Sequence, residues 1–66
     1  MIPGEKYRHF KGGEYEVLML ALNADHNYTD VVYRNNANEV FTRNYDTWFD
    51  EIRSNVTRFK KIEEEV

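Results

Sequence analysis

Two histidines, His9 and His26, and no cysteine limit the metal chemistry open to this chain. A zinc site built on them would need acidic side chains to complete four ligands. His9 falls in an extended stretch and His26 in a polar loop, with no short ligand spacing between them. Both read as ordinary polar residues, and no metal is expected. Nucleophilic catalysis has Ser54 as its single serine, and no glycine-flanked elbow presents it. Asp46 and Asp50 would share one face of a helical turn, with Glu51 beside them. Acids there relieve the unpaired N–H groups of a helix start without doing any chemistry. No catalytic residue and no cofactor are expected.

The stronger signal is cations interleaved with rings. Tyr7, Arg8, His9, Phe10 and Lys11 run consecutively; Tyr33-Arg34, Arg43 and the string Arg58, Phe59, Lys60, Lys61 extend the theme. Small β-barrels bind single-stranded nucleic acid with such sets, rings stacking on bases while cations follow phosphates. The competing arrangement puts the rings in the core and the cations in water, paired with Glu14, Glu16 and Glu39 across the sheet. A second constellation is Tyr45, Trp48 and Phe49 with Tyr7 and Tyr33. Exposed rings of this kind form grooves for extended peptides in SH3-like domains. A lone Trp in a small chain is better used as the plug of its core, so Trp48 is expected inside and Tyr45 or Tyr33 outside.

These residues need a scaffold, and 66 residues allow one small domain. A domain of about 60 residues buries only roughly 60% of its unfolded surface. Without disulfides, five Tyr, four Phe and one Trp must supply most of the cohesion. The longest uncharged apolar run, residues 17–22, is far short of the roughly 20 residues that span a bilayer. With no signal-like leader either, a cytoplasmic protein with no membrane contact is expected. The net charge of -3 equals the contribution of Glu63, Glu64 and Glu65 alone, so the rest of the chain is neutral. Residues 63–66 are therefore expected to be a frayed acidic tail on a single domain over 1–62.

Along the chain, residues 6–10 read as a strand, and Gly12-Gly13 as a tight hairpin turn. Residues 14–22 form a long second strand. Its alternation fails from Val17 onward, which means burial on both faces or a bend. Leu, Met and Ala there also suit a helix; the β-rich flanks and short length decide for a strand. Residues 31–34 and 39–43 make strands three and four about an Asn-rich turn at 35–38. Tyr45, Trp48, Phe49 and Ile52 recur at helical spacing, with Asp46 as a cap. Residues 57–62 make the last strand. The pattern predicts an all-β, SH3-like antiparallel barrel of five strands with one short helical turn before the last. The expected core is Phe10, Tyr15, Val17, Leu18, Leu20, Val32, Phe41, Trp48, Ile52 and Phe59.

The block Tyr7-Arg8-His9-Phe10-Lys11-Gly12, then Glu14-Tyr15-Glu16-Val17-Leu18, then Val31-Val32-Tyr33-Arg34, resembles a bacterial family of small proteins, the domain of unknown function 1653 family. The aromatic-rich turn after Arg43 and Arg58-Phe59-Lys60-Lys61-Ile62 are similar to it as well. The chain departs from the family's pattern in four places. Met19 stands where a glycine is usual, and Asn23-Ala24-Asp25-His26 replaces a His-Ser-Glu-Thr-like string. The loop 35–38 is shorter, and Arg43-Asn44 replaces Arg-Pro. The resemblance implies no activity and supplies no catalytic or binding residues.

The function expected from the residues is a non-catalytic binding or adaptor module for a protein or peptide. The alternative is single-stranded nucleic-acid binding. The candidate binding residues are Tyr7, Arg8, Lys11, Tyr33, Arg34, Arg43, Tyr45, Arg58 and Lys60. An edge strand also offers a route to self-pairing.

Overall fold

The structure is a computed structural model that describes residues 1–62; the acidic string expected as a tail lies outside the described residues. The elements are β1 (Lys6–His9), β2 (Glu14–Leu22), β3 (Thr29–Asn35), β4 (Val40–Asn44), α1 (Tyr45–Trp48), β5 (Glu51–Arg53), β6 (Val56–Thr57) and β7 (Phe59–Ile62). Five strands form one antiparallel sheet in the order β4-β3-β2-β1-β7, and β5 and β6 make a separate hairpin. The all-β barrel class read from the sequence holds, as a curled half-barrel.

Turn chemistry sets the register. Gly12 and Gly13 take φ of 98° and 87° between β1 and β2, a region glycine enters without penalty. Asn38 (φ 63°) does the same between β3 and β4. There the Asn35 side-chain oxygen accepts from the Ala37 and Glu39 amides at 3.0 and 2.9 Å.

The long β2 is bent by a bulge. Val17 pairs with Tyr33 but Met19 pairs with Val32, so Leu18 is an extra residue on the β2 side. This accounts for the lost alternation after Val17: an inserted residue flips the faces and increases the twist. Burial on both faces is not what happens. Met19, Leu20 and Leu22 beyond the bulge are 52%, 42% and 69% exposed.

The helical turn is shorter than its apolar spacing predicts. Asn44, not Asp46, caps it: the Asn44 side-chain oxygen accepts from the Asp46 amide at 2.7 Å. The helix stops at Trp48, and Ile52 lies in β5 instead. A hairpin turning at Asn55 (φ 63°) gives these residues ladder bonds that a second isolated turn of helix could not match.

The core is Tyr7, Val17, Val31, Tyr33, Trp48 and Phe59, with Met1, Tyr15 and Tyr45 packed against it. Val17, Trp48 and Phe59 sit where expected. Four expected core residues do not: Phe10, Leu20, Phe41 and Ile52 are exposed. Phe10 lies past the end of β1, Leu20 past the bulge, Phe41 on the edge strand β4, and Ile52 on the outlying hairpin. On β3 the opposite parity is buried, Val31 and Tyr33 in place of Val32. Tyr15, Leu18 and Val32 are half-buried. Trp48 is fully buried, stacked on Phe59 and met edge-on by Tyr33 and Tyr7.

Candidate binding surface

Strand alternation divides the basic residues between two faces. Tyr7, Tyr15, Val17, Val31, Tyr33 and Phe59 share the inner face; Lys6, Arg8, Glu14, Glu16, Arg34 and Lys60 share the outer one. On the outer face, Arg34 Nη2 lies 2.7 Å from Glu16 Oε1, and Arg34 also donates to the Asn38 side-chain oxygen. Arg8 stands 3.9 Å from Glu14 across the β1–β2 ladder. These cations largely serve the sheet surface.

The expected binding residues therefore do not form one patch. Tyr7 and Tyr33 are core residues, 3% and 8% exposed, and neither presents a ring to solvent. Tyr45 is half-buried against the core, edge-on to Phe49. Arg34 belongs to the Glu16 pair. What remains is Lys11, Arg43 and Arg58 around His9, Lys60 on the edge strand β7, and Arg8, whose pair with Glu14 is long and solvent-exposed.

His9 is the meeting point. It lies opposite Phe59 on β7; its ring is 4.6 Å from Phe10, 5.1 Å from Phe59 and 6.2 Å from Tyr15. Its Nδ1 accepts from the Lys11 amide at 3.1 Å, which requires a free lone pair there and so a neutral ring protonated on Nε2. Burial among these rings pushes the imidazole pKa below its ordinary value, and the positive charges of Arg58, Lys11 and Arg43 push in the same direction. None of Lys11, Arg43 and Arg58 has an ion pair with a carboxylate among the described residues. Arg58 Nε is also shielded without an acceptor.

From His9 and Phe10 an open groove of about 420 Å³ runs between the sheet edge and the β5–β6 hairpin. Phe10, Val56 and Ile62 give it apolar walls, and Arg8 and Lys60 give it positive ones. Phe10 is the residue that links the groove to the ring cluster, and it is 40% exposed with Lys11 Nζ 5.6 Å above its ring. Val56 and Ile62 were not singled out from the sequence. The signal for them was the hairpin turn at Ser54-Asn55, which brings Val56 beside the last strand. Groove volumes of this order are ordinary for ligand sites.

Next to the groove, Lys61 Nζ contacts Glu5 Oε2 at 2.7 Å, and the Glu5 carboxyl is held below its usual range, first by that bond and next by the Ile2 amide. Glu5 also accepts from the Tyr7 hydroxyl at 3.4 Å. Burial pushes Tyr7 up to about 12, with the Glu5 charge adding to it. This set ties the start of β1 to β7. Among the described residues, no three His, Cys, Asp or Glu side chains lie together as a metal site would need. No helix among them is long and apolar enough to cross a membrane.

No curated protein and no solved structure matches the chain. The sequence pattern of one family, described as a protein of unknown function (DUF1653), matches residues 5–61, with β1 through most of β7 inside the match. The chain therefore belongs to the DUF1653 family.

Proposed function

We propose that the protein is a non-catalytic cytoplasmic binding module that holds an extended, acidic polypeptide segment in the groove beside β7. The observation that carries this reading is the make-up of that groove: apolar walls from Phe10, Val56 and Ile62 with Arg8 and Lys60 beside them, about 420 Å³ in all. β7 is an outer strand of the sheet, so an extended chain laid along it gains main-chain hydrogen bonds as well as side-chain pockets. Apolar residues of the segment would meet Phe10 and Val56, and its carboxylates would meet Arg8 and Lys60.

A polyanion such as single-stranded nucleic acid is the second reading. Lys11, Arg43 and Arg58 around His9, without carboxylate partners among the described residues, favour it. Two facts weigh against it. Tyr7 and Tyr33 are buried and unavailable for stacking. Phe10 has His9 at 4.6 Å and the Lys11 ammonium over its ring.

Fluorescence anisotropy with a labelled peptide of alternating Glu and Leu, beside a labelled oligothymidine, separates the readings. The proposal expects saturable peptide binding that weakens with salt and drops at least tenfold in Lys60→Glu. Tighter binding of the oligothymidine would favour the second reading, and no peptide binding at low salt would end the first.

A further inference from the structure

A different part of the sheet carries an unfilled edge. β1 covers β2 only as far as Val17, whose amide donates to the Glu5 carbonyl at 2.9 Å and whose carbonyl accepts from Gly4 at 2.8 Å. The chain before Gly4 then leaves through the turn at Pro3-Gly4. From Met19 to Leu22, β2 pairs with β3 on one side, and no strand among the described residues pairs on the other.

The direction of the free backbone groups follows from the hairpin. The Asn23 amide donates to the Tyr28 carbonyl at 2.7 Å, so Asn23 faces β3. Alternation then turns Ala21 toward β3, and turns the N–H and C=O of Leu20 and Leu22 outward. Side chains on this overhang are all apolar, and Met19, Leu20 and Leu22 are exposed. By register, Leu20 lies opposite the core residue Val31 and Leu22 opposite Thr29, so both lie on the core side of the sheet.

Exposed edges usually carry a charge that blocks pairing with another chain. The two outer strands do: β4 has Arg43, and β7 has Lys60 and Lys61. The β2 overhang has none. It is also self-complementary. When two copies meet antiparallel about a two-fold axis at Ala21, Leu20 of each lies opposite Leu22 of the other. Both are outward-facing, so each pair exchanges two backbone hydrogen bonds. Ala21 meets Ala21 of the second copy at the axis, in the close non-hydrogen-bonded position where a small side chain fits. No like charges are brought together, and Leu20 and Leu22 would continue the apolar inner face from one copy into the next. A C2 dimer closes on itself and uses up the β2 overhang of both copies.

We infer that a second copy of this chain occupies the free edge, joining β2 to β2 about Ala21 so that the ladder β4-β3-β2 of one copy runs on into β2-β3-β4 of the other.

Sedimentation equilibrium of the full chain tests this directly. The dimer predicts a mass approaching twice 8.0 kDa as concentration rises. Leu22→Pro removes an outward N–H without touching the β2–β3 ladder, so it should return the mass to the monomer value while the far-UV spectrum stays native. Val40→Lys, on the β4 edge, should leave the dimer intact. Amide exchange on the unmodified protein needs no variant: the Leu20 and Leu22 amides should gain protection on concentration and lose it on dilution. A monomer at all concentrations, or a dimer that survives Leu22→Pro and breaks with Val40→Lys, would overturn the inference.

Discussion

Trp48 and Phe59 stack face to face, centroids 4.0 Å apart and planes within 5°. Trp48 ends the helix that follows β4, at one edge of the sheet, and Phe59 begins β7, at the other. The pair therefore closes the curl that the backbone ladder leaves open. Phe59 also touches His9 and Tyr15, so the same contact fixes the wall on which the groove is built.

Truncating either ring should be costly. Trp48→Ala and Phe59→Ala are each expected to lose about 3–5 kcal/mol, against a total of roughly 5 kcal/mol or slightly more for a domain this small. Trp48→Phe should cost less than Trp48→Ala, since it keeps a ring on Phe59 and removes an indole N–H that is buried without an acceptor. Urea denaturation of the three variants checks the order, and a double variant losing the sum of the single losses would deny the coupling.

Much of this scaffold is legible in the sequence. The Gly12-Gly13 and Asn-rich turns, the helical spacing before the last strand and the single Trp in a small chain give the succession of the five sheet strands along the chain and the plug. Side-chain parity is less legible. Tyr7 and Tyr33 sit next to arginines and read equally well as surface rings or core; only the register, Tyr7 opposite Tyr15 and Tyr33 opposite Val17, decides. The run after Val17 reads as doubly buried because a bulge leaves no mark in composition. The groove is half visible in the sequence: Arg8 and Lys60 are candidate residues there, whereas for Val56 and Ile62 the turn at Ser54-Asn55 is the one local sign and tertiary placement supplies the rest.

Tyr7 gives the molecule an alkaline limit. Its hydroxyl is raised to about 12 by burial, then by the Glu5 charge, from an ordinary value of 10.0. Between those values the unfolded chain loses the proton first, so stability is complete below the unfolded value and is lost as pH rises toward the folded one. Stability measured against pH should fall through this window, and Tyr7→Phe should flatten the fall. An unchanged slope in Tyr7→Phe would contradict the assignment.

His9 acts in the opposite direction. Burial, then Arg58, Lys11 and Arg43, lower its pKa from 6.5. As pH drops below that ordinary value the unfolded chain takes up the proton first, so stability is lost until the folded ring also titrates. Protonation at Nδ1 removes the acceptor for the Lys11 amide. His9→Phe should reduce the acid dependence between neutral pH and the carboxylate range. The remaining acid loss should come at lower pH from Glu5, whose carboxyl is held below its usual range chiefly by Lys61.

The groove is the centre of the functional account, and an amide chemical-shift titration of the labelled protein tests it most directly. With the alternating Glu and Leu peptide, the largest shifts should fall on Phe10, Val56, Thr57 and Ile62, the residues that line the groove. They should shrink at least several-fold in Lys60→Glu, whose native spectrum would show the fold intact. Shifts confined to Phe41 and Arg43, or none at any peptide concentration, would contradict the account.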